Sequence, residues 1–395
     1  MNVLYIAYAF PPVNIVASQR AMFQAKYMAE AGAKVTVISA EQTRKRDDYE
    51  LLKILEDVPN LTVHRIMPWG RSDIKGKHGF KPSAKGWLWV LRTYKLAKKL
   101  HKNNNFDILL STYGPKYPHL AAYFTSQATG LPWVAEYRDP WVGNEHQNRD
   151  TFVNRLIEKN IIKKSSALVT VSQGFASILK SVHGEIIPIY IVYNGYDEAD
   201  KKFVDSYGAA IDTLRLIIAG TVYPIQKKGV NELLKGMVNN KNKVILEYYG
   251  PSEKLIRDIM TESGVDALVN FHGIVSKTAI TRAISSADIA VLPASSGKGQ
   301  LPVKFYDYLS VRKPVLMLGG SGSEIEKIML ETNSGMNAET ADEVDDFLSN
   351  FENKSLEFNF TNSEYYTRAY QTDKLLGYLN NVLKLHRNST NKIHC

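Results

Sequence analysis

The run VLYIAY, from Val3 to Tyr8, is apolar at every position and ends at Phe10-Pro11-Pro12. A helix-spaced stretch, SQRAMFQAKYMAEAG, follows and closes at Gly32, and KVTVIS comes next. A strand that is apolar on both faces needs cover on both faces, which is the habit of parallel sheets. Two such strands joined by one helix make a βαβ unit with a right-handed crossover.

The alternation continues to the end of the chain. Strands are expected at 107–112, 131–136, 167–172 and 186–193, then at 214–220, 243–250, 269–273 and 288–293, with helical spacing between them. At 395 residues the chain is too long for one ordinary core and fits two domains. YDEADKKFVDSYGAAIDT is polar and aperiodic, so residues 196–213 are expected to link a domain at 1–195 to one at 214–361. A long helix lies within 362–395. The expected fold class is α/β, with two Rossmann-like domains built on parallel sheets.

No run of eighteen apolar residues exists, and the first strand begins directly after Met1 without a basic leader. The single cysteine, Cys395, excludes an internal disulfide and a multi-cysteine metal site. A cytoplasmic location is expected. The net charge of +9 asks for an acidic partner. Between Arg71 and Lys102 there are 10 Lys or Arg and one acid, Asp73. Within this segment KGWLWVLRTYKLAKKLHK has helical spacing, a basic face and tryptophans at one end. Such a helix suits an anionic membrane surface, with Trp87, Trp89, Arg92, Lys95, Lys98 and Lys99 as the contacts. The alternative is an amphipathic helix covering the sheet. No companion reading motif points to nucleic acid.

Ligand chemistry concentrates in Gly297 to Ile328, which reads as loop, short helix, buried strand, glycine turn and new helix. That order puts amides and charges at the carboxyl end of a strand, where α/β proteins bind ligands. Pro302 suits the first helical position. Lys304 and Asp307 share a face one turn apart. Lys304, near the positive end of the helix, calls for an anion, either Asp307 or a bound phosphate. A solvated ion pair is the plain alternative.

No G-x-G-x-x-G follows a strand, and neither a P-loop nor a G-x-S-x-G elbow occurs. Asp-x-Asp is also absent, so a bound diphosphate would be neutralised by Lys227, Lys228, Lys304 and the amides of the glycine turn before Glu324, without a metal. Asp307 would suit the hydroxyl pair of a ribose. Arg138 and Asp139, just past the strand LPWVAE, are either a structural salt bridge or site residues.

These segments carry a resemblance. AFPPVNIVASQR, STYGPKYPHL, LPWVAEYRDPW, LVTVSQGF, VYNGYDE, AGTVYPIQKKG, EYYGP, FHGIVS, SSADIAVLP and PVKFYDYLSVRKPVL with GGSGSEI occur in the order seen in family 4 glycosyltransferases of the GT-B fold. The chain resembles in particular the bacterial members that assemble surface polysaccharides. The resemblance implies two domains facing across a cleft, the last helix crossing back to the first, and a nucleotide-diphosphate sugar as donor with no cofactor. It implies Lys228 on the donor phosphate, Asp307 on the ribose, backbone at Ile274 and Val275 around the base, and Arg138 and Asp139 beside the sugar. Pro12, Asn14, Ser18 and His119 fall on the acceptor side. The acceptor would be a hydroxyl of a lipid-linked glycan or a polysaccharide, and the anomeric configuration would be retained. Asp139 as general base would instead give inversion.

Three positions depart from the family pattern. Thr221 stands near the usual phosphate arginine, leaving Lys227 or Lys304 to substitute. Gly299 stands where a carboxylate is usual, and Ile15 to Ala17 replace a glycine pair. A nucleotide-sugar epimerase of similar architecture and a non-catalytic binding subunit are the competing readings.

Overall fold

The computed structural model describes residues 1–41, 47–67, 84–144, 150–184, 187–203, 213–240, 243–294, 299 and 301–393. The chain divides into two compact units: Met1–Tyr193 with Arg368–Cys395, and Asn194–Thr367.

Unit 1 carries seven strands: β1 (Asn2–Ala7), β2 (Lys34–Ala40), β3 (Leu61–Ile66), β4 (Ile108–Thr112), β5 (Trp133–Tyr137), β6 (Ala167–Thr170) and β7 (Ile189–Ile191). All pair in parallel, in the order β3-β2-β1-β4-β5-β6-β7. Between them run α1 (Val16–Glu30), α2 (Glu50–Lys53), α3 (Ala84–Asn104), α4 (Tyr117–Thr129), α5 (Phe152–Lys164) and α6 (Gln173–His183). The unbroken apolar run of β1 is explained by its pleat. Leu4 and Ile6 enter one core, with Trp89 of α3 and Ile161 and Ile162 of α5. Val3, Tyr5 and Ala7 enter the other, with Met22 of α1 and Leu375 and Leu379 of the C-terminal helix, Arg368–Ile393. Sequence reading did not anticipate β3. As an edge strand with no fully buried position and with the polar Thr62, His64 and Arg65, it lacks the apolar run that marks its neighbours.

A buried ion pair ties this unit together. Arg20 of α1 meets Glu136 of β5 at 2.8 Å and donates to the carbonyls of Val192 and Tyr193 at 2.9 Å each. Gln24 donates to the same Glu136 oxygen at 2.7 Å. Burial pushes the Glu136 carboxyl up, but Arg20 and these hydrogen bonds outweigh it and hold the group below its ordinary range.

Unit 2 carries β8 (Leu214–Ala219), α7 (Lys227–Asn239), β9 (Val244–Tyr249), α8 (Glu253–Ser263), β10 (Leu268–Phe271), α9 (Lys277–Ser286) and β11 (Ile289–Pro293). It continues with α10 (Val303–Ser310), β12 (Val315–Leu318), α11 (Glu324–Thr332), β13 (Gly335–Ala338) and α12 (Ala341–Glu352). The six strands are parallel in the order β10-β9-β8-β11-β12-β13. Pro302 caps α10 instead of opening it, with ψ of 122°. Part of the stretch expected to be a linker is packed structure: a short 3-10 helix at Glu198–Phe203 lies against α9 and α10. In each sheet the chain reverses its direction of travel beside the first strand, between β1 and β4 and between β8 and β11. Ligands of open α/β sheets bind at the carboxyl ends of such a pair.

Candidate active site

At the reversal point of unit 2, β8 ends in Gly220, whose φ of 88° turns the chain sharply. Into this corner comes Lys304 from α10, its Nζ donating to the Thr221 carbonyl at 3.1 Å. Tyr308, one turn further along α10, donates to the Val291 carbonyl at 3.2 Å and accepts from the Ala219 N–H at 3.3 Å, fastening the helix to both strands. Gln226 clamps the other side, donating to the Pro293 carbonyl at 2.7 Å and accepting from the Tyr223 N–H at 2.9 Å. Among the described residues no carboxylate reaches the Lys304 ammonium. Burial lowers its pKa to about 8.

The two lysines of the following loop part company. Lys227 pairs with Glu262 of α8 and so leaves the corner. Lys228 is exposed and has no partner among the described residues. It stands in the first turn of α7, which carries no acid to balance the helix dipole. Gly229 lets that turn press onto β12: a β-carbon there would lie 3.1 Å from the Leu318 carbonyl oxygen.

Lys304 and Asp307 do not pair, contrary to the simplest expectation from their spacing. Asp307 pairs with Lys277, the first residue of α9, which also approaches Asp200 at 3.9 Å. Sequence reading missed Lys277, because thirty residues separate it from its partner. The glycine turn is also corrected as an anion site. Its Ser321 and Gly322 N–H groups are taken by Glu339 at 3.1 Å and Glu326 at 2.6 Å, and Ser323 caps the Glu326 N–H. Glu324 and Glu326 make the first turn of α11 acidic, so phosphate is better served by α7. Ile274 and Val275, between β10 and α9, are 66% and 37% exposed. Gly299 has a φ of 82°, a conformation that suits glycine and not a carboxylate-bearing residue.

In unit 1, Arg138 and Asp139 do not form the salt bridge offered as an alternative. Arg138 donates to the Tyr113 carbonyl from Nε at 3.0 Å and Nη2 at 2.5 Å. Its guanidinium lies where a β-carbon on Gly114 would meet it at 2.2 Å. The half-buried Asp139 carboxylate has no partner among the described residues. The Pro12 carbonyl accepts from the Asp48 N–H at 2.8 Å, and Asn14 bridges Asp48 and Gln19 at 3.2 and 2.8 Å.

Ser18 and His119 are not loop residues. Ser18 lies in α1 and His119 in the first turn of α4, and both are fully buried. Ser111 Oγ accepts from Trp133 Nε1 at 2.8 Å and shares a hydrogen bond with His119 Nδ1 at 2.8 Å. Burial, then Arg138, depresses the His119 pKa from 6.5 to about 3. The unfolded chain therefore binds the extra proton first as pH falls. Below pH 6.5 stability should drop by about 1.4 kcal/mol per unit until pH 3. His119→Gln should remove that slope in urea titrations taken at successive pH values.

Trp89 is likewise no membrane contact: it is fully buried with its ring centroid 4.9 Å from that of Tyr8. Trp87 is 39% exposed, and Lys95, Lys98 and Lys99 are exposed. Arg92 is half-buried and donates to the Met67 carbonyl at 3.3 Å. No described helix is long and apolar enough to cross a membrane. Among the described residues no group of three His, Cys, Asp or Glu side chains gathers as for a metal ion.

Residues 17–200 match the model of Glycosyltransferase Family 4. That stretch, which makes up most of the first unit, is similar to that family. The whole chain shares its fold with solved GT-B structures. A Rickettsia africae glycosyltransferase superposes with a TM-score of 0.67 at 14% identity, covering 97% of this chain and 98% of that one. Anabaena HepE, solved with UDP-glucose, gives 0.59 at 14% identity over 99% and 100%. A Listeria monocytogenes protein described as a UDP-N-acetylglucosamine 2-epimerase gives 0.58 at 11% identity over 96% and 95%. Comparison with curated sequences finds no significant match. At these identities the likeness carries the fold, and the chemistry must be argued from this chain's own residues.

Proposed function

We propose that the chain transfers a sugar from a nucleotide-diphosphate donor to a hydroxyl of a lipid-linked or polysaccharide acceptor. The observation that carries this reading is Lys304, a partly buried ammonium with no carboxylate partner among the described residues, fixed at the reversal point of the second sheet. A diphosphate would supply the missing anion. Lys228 and the positive end of the α7 dipole would hold the outer phosphate, and Lys304 would stand in for the arginine missing at Thr221. Asp307 would share its carboxylate between Lys277 and a ribose hydroxyl, and the exposed Ile274–Val275 backbone would border the base.

In the reaction the bond from the anomeric carbon to the diphosphate oxygen breaks and the acceptor oxygen bonds to that carbon. The leaving diphosphate's charge falls on Lys228 and Lys304, groups already in place. With retention, the acceptor's proton leaves on the departing phosphate oxygen; with inversion, Asp139 takes it. Lys228→Ala should raise the donor KM about tenfold, the loss of one exposed charge-assisted contact, with a smaller effect on the melting temperature of the free protein.

The Listeria likeness makes epimerisation the second reading. Nucleotide-sugar turnover separates the two. A transferase consumes donor in proportion to added acceptor, whereas an epimerase converts it with none. The membrane side of the proposal rests on α3, whose exposed Trp87, Lys95, Lys98 and Lys99 suit an anionic lipid surface.

A further inference from the structure

Two helices of unit 1 repeat one surface pattern. Along the exposed stripe of α3 come Trp87 and Leu91, 39% and 50% exposed, and then the exposed Lys95 and Lys98. Along that of α5 come Phe152 and Leu156, 75% and 46% exposed, and then the exposed Lys159 and Lys163. Each stripe thus has an aromatic residue and a leucine one turn apart at the helix's N-terminal end, with lysines on its C-terminal half. Their opposite faces, with Trp89 and Ala97 of α3 and Ile161 and Ile162 of α5, enter the same core, so both helices cover the same side of the sheet.

Topology fixes which way the stripes point. α3 joins β3 to β4 and α5 joins β5 to β6, all parallel, so each helix runs back against the strands. The apolar ends therefore lie at the carboxyl edge of the sheet, the edge that also carries the Pro12 loop and Arg138–Asp139. An apolar tip backed by lysines is the chemistry of the bilayer interface: the tip enters below the headgroups and the ammonium groups meet the lipid phosphates. Phe152, Val153 at 62% and Leu156 leave three large apolar side chains exposed within the first five residues of α5, and clustered exposed apolar surface is a mark of contact sites.

We infer that α5 is a second membrane-inserting element, acting with α3 to seat the acceptor-side edge of unit 1 on an anionic bilayer. The inference rests on the reading of α3 given above and extends it to a pair of anchors. One weak anchor gives reversible binding, while two give a stable seat. Such a seat would bring the acceptor-side loops to the headgroup layer, where a lipid-linked hydroxyl is presented.

The test is co-sedimentation of the full chain with phosphatidylcholine vesicles, with and without phosphatidylglycerol, at low and high salt. Wild-type protein should bind only the anionic vesicles and be released by salt. Phe152→Ser with Leu156→Ser should weaken binding at least about tenfold, and Lys159→Gln or Lys163→Gln roughly fivefold each. Melting temperatures and stabilisation by UDP should stay at wild-type values in every variant. Stabilisation by UDP reads the donor site alone, so its failure leaves the vesicle result standing separately. Unchanged vesicle binding in the α5 variants would overturn the inference. So would a wild-type dimer, seen by light scattering, that the same two serines dissociate, because the patch would then be a protein interface.

Discussion

Lys304→Met is expected to weaken nucleoside-diphosphate binding roughly 10- to 150-fold and, at the same time, to raise the melting temperature of the ligand-free protein. Both effects follow from one buried charge. The folded-state pKa, lowered from 10.5 to about 8, means that the fold pays to keep this ammonium charged. Because the folded pKa lies below the unfolded one, the unfolded chain binds more protons between these values. Stability should therefore rise from pH 8 to 10.5 and stay flat below 8. Methionine removes the charge and the slope together, a gain of about 1–3 kcal/mol at neutral pH. The same ammonium would be the main answer to the donor's diphosphate, and one charge-assisted contact is worth about 1.5–3 kcal/mol, or roughly 10- to 150-fold in Kd. Thermal melts with and without UDP check both halves. A variant that melts lower and still responds to UDP would show that Lys304 is only structural.

The largest loss of stability is expected at Arg20. Arg20→Met leaves Glu136 fully buried without its cation and frees the Val192 and Tyr193 carbonyls from their donor. Breaking a buried pair from one side costs about 3–5 kcal/mol. Arg20→Lys should not rescue it, because a single ammonium cannot reproduce the fork that serves one carboxylate and two carbonyls. The depressed Glu136 carboxyl adds a pH signature: its contribution is present above pH 4.5 and is lost as pH falls through its folded value. Urea titrations of the wild type, Arg20→Met and Glu136→Gln measure all three expectations.

The strands were legible wherever they are buried on both faces. β1, β8 and β11 announce themselves as apolar runs, and the helices between them follow from periodicity. β3 and β13 were not legible, because they are edge strands with exposed positions, as in the mixed LTVHRI and the polar GMNA. The residues of the donor corner were readable as types, and their partners were not. Spacing offered Lys304 to Asp307, but the fold gives Lys304 to the Thr221 carbonyl and Asp307 to Lys277, contacts 83 and 30 residues apart in sequence. The glycine turn looked like a phosphate cradle until Glu326 and Glu339 occupied its amides. Trp89 and His119 read as surface and site residues because a tryptophan in a basic helix or a histidine after a loop carries no sequence mark of which face it takes. The α5 stripe was present in FVNRLIEKNIIKK but gained meaning only once its buried face was known.

The central claim is that unit 2 holds the diphosphate of a nucleotide donor, and titration calorimetry of the full chain with UDP, GDP and ADP tests it most directly. At least one should bind with a dissociation constant in the micromolar range, and Lys304→Met should weaken that binding roughly 10- to 150-fold. No heat from any of the three at millimolar concentration, with a correctly folded protein, would contradict it.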